Sequence, residues 1–129
     1  MNIISIIADY IDTNTSLTKA TDLFIDTLPE DIDNGIMLTG IGGTPEKYYD
    51  LFEQKIEVWS RNKSSDACFN QLQSVFDLLH RKANTTISTA YIYFMQSMTD
   101  IESNGRDING RSLKKIMVRV IYKKLPDIS

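Results

Sequence analysis

The stretch QKIEVWSRNKSSDACFNQLQSVFDLLHR, residues 54–81, decides the fold. Its first part has the period of a half-buried strand over residues 53–60. Ile56 and Val58 fall on one side of an extended chain, and Glu53, Lys55 and Glu57 on the other. Trp59 breaks the alternation, and belongs either at a strand end or on an outer face beneath a neighbouring subunit. After four polar residues the period changes. Cys68, Leu72, Val75, Phe76 and Leu79 recur at helical spacing, so a helix is expected over residues 64–82. Ser64 or Ser65 is placed to cap it, and Asp66 suits the positive end of the helix dipole. His80, Arg81 and Lys82 suit the negative end.

Downstream of this unit, AYIYFMQSM (residues 90–98) is apolar on both faces and reads as a central strand. LKKIMVRVIYK (113–123) alternates, with Ile116, Val118, Val120 and Tyr122 inward and Lys115, Arg119 and Lys123 outward. Between them, two Asn-Gly pairs predict turns with positive φ, so these strands form a long hairpin with a polar, mobile tip. Upstream, NIISIIADYID (2–12) puts Ile3, Ile7 and Tyr10 or Ile11 on one helical stripe. Leu23–Leu28 and Ile36–Ile41 read as two further strands that partner each other. They flank an acidic loop, Glu30-Asp31-Ile32-Asp33. Strand 53–60, helix 64–82 and strand 90–98 make a β-α-β passage in which the helix covers one sheet face. The fold class is therefore α+β: a mostly antiparallel sheet of about five strands with two helices packed on it, in one domain over residues 1–129.

The bulk properties agree. The chain has 129 residues, 42% apolar and 24% charged, and one cysteine, Cys68, which allows no disulfide within the chain. Asp9 ends the N-terminal apolar run too early for a signal peptide. No stretch approaches the ~18 apolar residues of a membrane helix, so no membrane partner is expected. The net charge of −3 hides an asymmetry: residues 1–60 carry −8 and residues 61–129 carry +5. Two readings stand. The halves pack together and neutralise each other, or opposite faces of one subunit meet head to tail in an assembly. A nucleic-acid footprint fits an acidic chain poorly.

No constellation with recognisable chemistry emerges. His80 has no partner at catalytic spacing and suits a helix C-terminus. Cys68 lies on the apolar stripe and packs as a small hydrophobe. Glu30, Asp31 and Asp33 lack the ligand count of a calcium loop. Gly40-Ile41-Gly42-Gly43 follows a strand, but Pro45 stands where a phosphate loop needs a helix. The tyrosines lack the interleaved cations of an RNA-binding sheet. No cofactor, metal or catalytic residue is expected, and the chain does not read as an enzyme.

The element order, with KIEVWSR leading into SSDACFNQLQSVFDLL and closing on KKIMVRVIYKK, resembles the tail-terminator or minor capsid (tail-to-head joining) proteins of long-tailed bacteriophages. The residues that carry the likeness are Ile56, Val58 and Arg61, then Ala67, Leu72, Leu78 and Leu79. The resemblance implies a structural virion protein, made in the host cytoplasm and placed at the head-tail interface. Copies would form a six-membered ring that caps the tail tube, stops its growth and meets the head connector, with DNA only in transit through the lumen. Its partners would be itself, the tail-tube protein and a head-completion protein. Arg106, Asp107 and Arg111 in the hairpin tip are candidate partner contacts, with an ordinary solvated loop as the alternative. Tyr48, Tyr49 and Trp59 are candidates for subunit packing, with a core role as the alternative. Another phage morphogenesis protein, a head-completion or tail-tube subunit, remains open. So does a small cytosolic enzyme or ligand-binding domain.

Overall fold

The computed structural model describes residues 2–44 and 51–125. In chain order the elements are α1 (Ile3–Asn14), β1 (Leu23–Ile25), β2 (Gly35–Thr44), β3 (Phe52–Asn62), α2 (Ser65–Leu79), β4 (Lys82–Ile87), β5 (Ala90–Ser97), β6 (Glu102–Arg106) and β7 (Ser112–Lys124). The strands form one sheet in the order β1-β2-β3-β7-β5-β4, with β6 paired to β7 beside that path. All pairings but one are antiparallel. The α+β class stands. The expectation of about five strands is corrected to seven.

The two missed strands have physical reasons. β4 is an edge strand whose Asn84 and Thr86 are exposed, so it shows no apolar alternation. β6 is ESNGR, exposed along its whole length, and its own residues bury nothing. Both exist because a neighbouring strand offers free backbone groups, a tertiary cause that propensity does not carry.

α2 begins where expected: Ser64 Oγ accepts from Ala67 N at 3.3 Å, and Asp66 stands in the first turn. It ends earlier, at Leu79. Arg81 takes φ 61°, and Lys82 already belongs to β4, so neither lies at the helix's negative end as expected. His80 is the C-cap: its Nδ1 accepts from Ser97 N at 3.0 Å, and its ring stacks on Phe76. α1 is capped by Asn2, whose Oδ1 accepts from Ile4 N and Ser5 N.

β1 is shorter than read and pairs with β2 in parallel, Leu23 opposite Ile36. Asp26, at φ 67°, turns the chain out of the strand, and the following loop carries it back alongside itself. β3 and β5 run parallel to each other with β7 between them, so the β3-α2-β5 passage is split by the closing strand.

Both helices lie on one sheet face. Ile3, Ile7 and Ile11 of α1 and Leu72, Val75 and Leu79 of α2 share a core with Ile36, Leu38, Ile56, Val58, Ile92, Met95, Ile116, Val118, Val120 and Tyr122. Each fully buried side chain of this kind stabilises by about 1.5–3 kcal/mol. The inward set expected for 113–123 is observed. In β5 a bulge between Ile92 and Phe94 resets the alternation, so the inward pair Ile92 and Met95 lie three apart.

Gly40-Ile41-Gly42-Gly43 is strand and bulge within β2, not a phosphate loop. A Cβ on Gly43 would stand 2.2 Å from the Glu53 carbonyl oxygen, so the close approach of β2 to β3 requires glycine there.

Candidate functional site

Two surfaces merit description: the hairpin tip and the sheet face that the helices leave open.

The tip is built on β6 and β7. Only the second Asn-Gly pair makes the reversal: Gly110, at φ 76°, donates its N–H to the Asp107 carbonyl at 3.0 Å. The first pair instead forms a bulge within β6. Asp107 Oδ1 accepts from Asn109 N at 3.0 Å and Arg111 N at 2.9 Å, which closes the turn from inside. Arg106 Nη1 donates to the Gly110 carbonyl at 2.6 Å and to the Lys63 carbonyl at 3.4 Å. Ile108, at the apex, is 98% exposed.

Arg111 is 1% exposed. Its Nε donates to Asp107 Oδ2 at 2.8 Å, Nη2 to Glu30 Oε1 at 2.7 Å, and Nη1 to the Glu30 carbonyl at 2.8 Å. Asp33 Oδ1 lies 3.6 Å from Nη1. Arg61, also buried, donates to the carbonyls of Pro29 and Ile32. Two guanidinium forks thus hold the acidic loop against the hairpin base, an arrangement that five-donor planar cations suit and lysine does not. Asn109 Nδ2 adds a bond to Glu30 Oε1 at 2.9 Å. The tip expected to be mobile is therefore tied down at its base.

The electrostatics follow from this packing. Burial pushes Asp107 upward, but the bonds from the Arg111 backbone and guanidinium and from Asn109 outweigh it and hold its carboxyl below the ordinary value. Burial likewise opposes the charge on Arg111, and the contacts with Asp107 and Glu30 outweigh it, so its pKa is raised. Arg61 is lowered, by burial first and by the neighbouring Arg111 second. Its Nε is a buried donor with no partner among the described residues.

The other surface lies opposite the helices. Strand register places Phe24, Met37, Trp59 and Lys115 across it in one row, and Thr39, Glu57 and Met117 in the next. Further along come Lys55, Arg119 and Gln96, then Glu53, Ile121 and Phe94. Trp59, of the two placements expected, takes the outer face. Its Nε1 donates to Glu57 Oε1 at 3.1 Å, and Lys115 Nζ sits 5.1 Å from its ring centre. Its own neighbours half-bury it, and no element packs over it among the described residues. Asp26 Oδ1 accepts from Thr39 Oγ1 at 3.1 Å, so its carboxylate borders this face beside Phe24.

The charge asymmetry resolves in part within the chain. Asp33 pairs with Lys63, Glu30 with Arg111, Glu57 with Lys115 and Glu53 with Arg119, each an acid from residues 1–60 with a base from 61–129. What stays without an opposite partner among the described residues includes Asp26 at the rim of the open face and Arg106 at the tip.

The sequence-predicted residues thus separate. Arg106, Asp107 and Arg111 come together at the tip, with Arg111 turned inward. Trp59 lies on the open face. Tyr48 and Tyr49 lie outside the described residues. Sequence reading named Arg61 only as part of the family likeness and missed its buried hold on the acidic loop, since it reads as a charged residue at a strand exit. It also missed Ile108, an isolated apolar residue between Asp107 and Asn109 that belongs to no periodic pattern.

Among the described residues no group of three or more histidine, cysteine, aspartate or glutamate side chains is arranged to hold a metal ion, and no helix is long and apolar enough to cross a membrane.

Comparison with known proteins supplies the identity. No curated protein matches this chain. A solved structure, "Virion of native gene transfer agent (GTA) particle", shares the fold with TM-score 0.58 and 8% identity, covering 80% of this chain and 79% of that one. The family model described as "Bacteriophage tail terminator protein" matches residues 10–124. The sheet, both helices and the hairpin tip all fall in that span but for the first turns of α1, and the chain belongs to the bacteriophage tail terminator family, a family of structural virion proteins of the phage tail.

Proposed function

We propose that this protein forms a closed ring, a hexamer, on the end of the phage tail tube. The ring halts tube growth and presents its other side to the head-completion or connector protein, and DNA passes through the lumen without being held. The family match over residues 10–124 carries this reading. The physical features support it. A closed ring needs two different patches on each subunit that meet head to tail. The tip and the open sheet face differ in shape, and each keeps a charge unmatched among the described residues: Arg106 on one, Asp26 on the other. Arg106 and Trp59 then contact neighbours directly, while Asp107 and Arg111 hold the tip in position. The protein so placed is a virion component at the head-tail joint, acting as one domain.

Sedimentation velocity of the purified protein, alone and with tail tubes, tests this. Discrete hexamers, or monomers that collect as single caps on tube ends in electron micrographs, are expected. A monomer under both conditions, or open-ended polymers of the protein itself, would overturn the reading; the polymers would point to a tube subunit instead.

A further inference from the structure

The hairpin tip is costly to build for what it buries. A guanidinium is withdrawn from water, three carboxylates are arranged around it, and a second arginine is committed to the loop beneath. None of this adds apolar burial to the core. What it fixes is the turn Asp107-Ile108-Asn109-Gly110, whose one apolar side chain is Ile108, 98% exposed at the apex. A lone exposed aliphatic residue on a loose loop needs no explanation. The same residue on a turn locked from both sides is held ready for a contact, because the entropy of ordering it is spent before binding.

The same chain offers a surface of matching chemistry. The open sheet face carries Phe24, Met37, Trp59 and Met117 side by side, and the charges next to Trp59 are paired as Glu57–Lys115. Lys55, which makes no ion pair among the described residues, lies two rows from Trp59, beyond Glu57 and Met117, so an apolar side chain can seat beside Trp59 without stripping water from it. Charge complementarity then selects the orientation. The Arg106 guanidinium, beside the apex, bonds only carbonyls of its own chain among the described residues, and the Asp26 carboxylate, at the rim of the face, accepts only from Thr39 among them.

We infer that Ile108 of one copy docks on the open sheet face of the next copy beside Trp59, with Arg106 meeting the Asp26 carboxylate at the rim. This rests on the ring reading and specifies its subunit contact. Asp107 and Arg111 are positioning residues in it: they hold the apex and do not touch the neighbour.

Trp59 is the only tryptophan in the chain, so its fluorescence reports the docking directly. Acrylamide quenching and emission wavelength are followed across a concentration series, with sedimentation velocity on the same samples. The wild type is expected to show a blue shift and reduced quenching as the ring forms. Ile108→Asp and Arg106→Glu are expected to keep the wild-type melting temperature. Ile108→Asp should raise the concentration needed for assembly roughly 10-fold or more, the loss typical of a central apolar anchor. Ile108→Leu should restore assembly. As a second measurement, Ile108→Cys paired with Met37→Cys should cross-link copies to each other through a short thiol reagent. The native Cys68 is fully buried and stays silent. Rings that form with Trp59 unshielded, or that form equally well in Ile108→Asp, would overturn the inference and leave the ring intact. A protein that never associates would remove both.

Discussion

Arg111 Nε and Asp107 Oδ2 lie 2.8 Å apart across a turn of the chain, and this pair joins the hairpin apex to the acidic loop that packs against its base. Asp107 stands on two roles at once: one oxygen closes the turn through backbone N–H groups, and the other orients the guanidinium that reaches Glu30. The tip's geometry depends on both residues.

Removing the cation while keeping the side chain's length should therefore release the tip. In Arg111→Met, the amides of Asn109 and Arg111 are expected to exchange with solvent much faster. Those of β3 and the central part of β7 should stay protected. The melting temperature should fall by several degrees, because Glu30 and Asp33 lose their buried partner. Hydrogen exchange read by mass spectrometry checks this; unchanged protection at the tip would show that the turn holds itself.

Stability should fall on acidification in a way that Asp107 partly owns. Its folded pKa is depressed, so its contribution is fully present above the ordinary carboxylate value of about 3.9 and is lost as pH falls through the lower folded value. Asp107→Asn should then melt below the wild type at pH 7, and the gap should narrow as the pH drops under about 4. Thermal melts of both proteins from pH 7 to pH 2.5 test the sign. A gap that is constant over this range would contradict the assignment.

The two sheet faces should respond differently to truncation. Leu72 is fully buried between α2 and the sheet, and Leu72→Ala is expected to cost about 2–5 kcal/mol. Trp59→Ala on the open face should cost less, despite the larger side chain, because no element covers it among the described residues. Urea denaturation of the isolated protein, at concentrations below assembly, compares them.

Glycine content in β2 is position-specific. Gly43→Ala must force β3 away, since the new carbon would meet backbone atoms of Glu53 and Gln54. A loss of about 2–4 kcal/mol is expected. Gly42→Ala meets nothing within 4 Å and suffers only from φ +98°, which costs about 1–2 kcal/mol. Equal effects at the two positions, measured by denaturant midpoints, would contradict the close approach of β2 to β3 at Gly43.

The ranking of what was readable follows from how far each element's cause lies from its own residues. α2 was readable nearly residue by residue at its start, because cap, dipole and stripe are all local to Ser64–Leu79. Its end was not: nothing in His80-Arg81-Lys82 discloses that Met95 offers Lys82 a strand partner. Arg111 reads in sequence as one more cation in a polar tip. Its burial requires Glu30 to arrive from 81 residues away.

The sequence by itself determined the α+β class, the inward faces of β3, α2 and β7, and the absence of a recognisable catalytic pattern. Each of these rests on periodicity and composition, which local chain geometry converts directly into faces. Only the tertiary structure decided the seven-strand order, the parallel β1-β2 pair, the ion pairs that join the acidic half to the basic half, and the split between an inward Arg111 and an outward Ile108. These depend on which distant backbone and side-chain groups meet, and a buried hydrogen-bonding group or charge takes whatever partner folding brings to it.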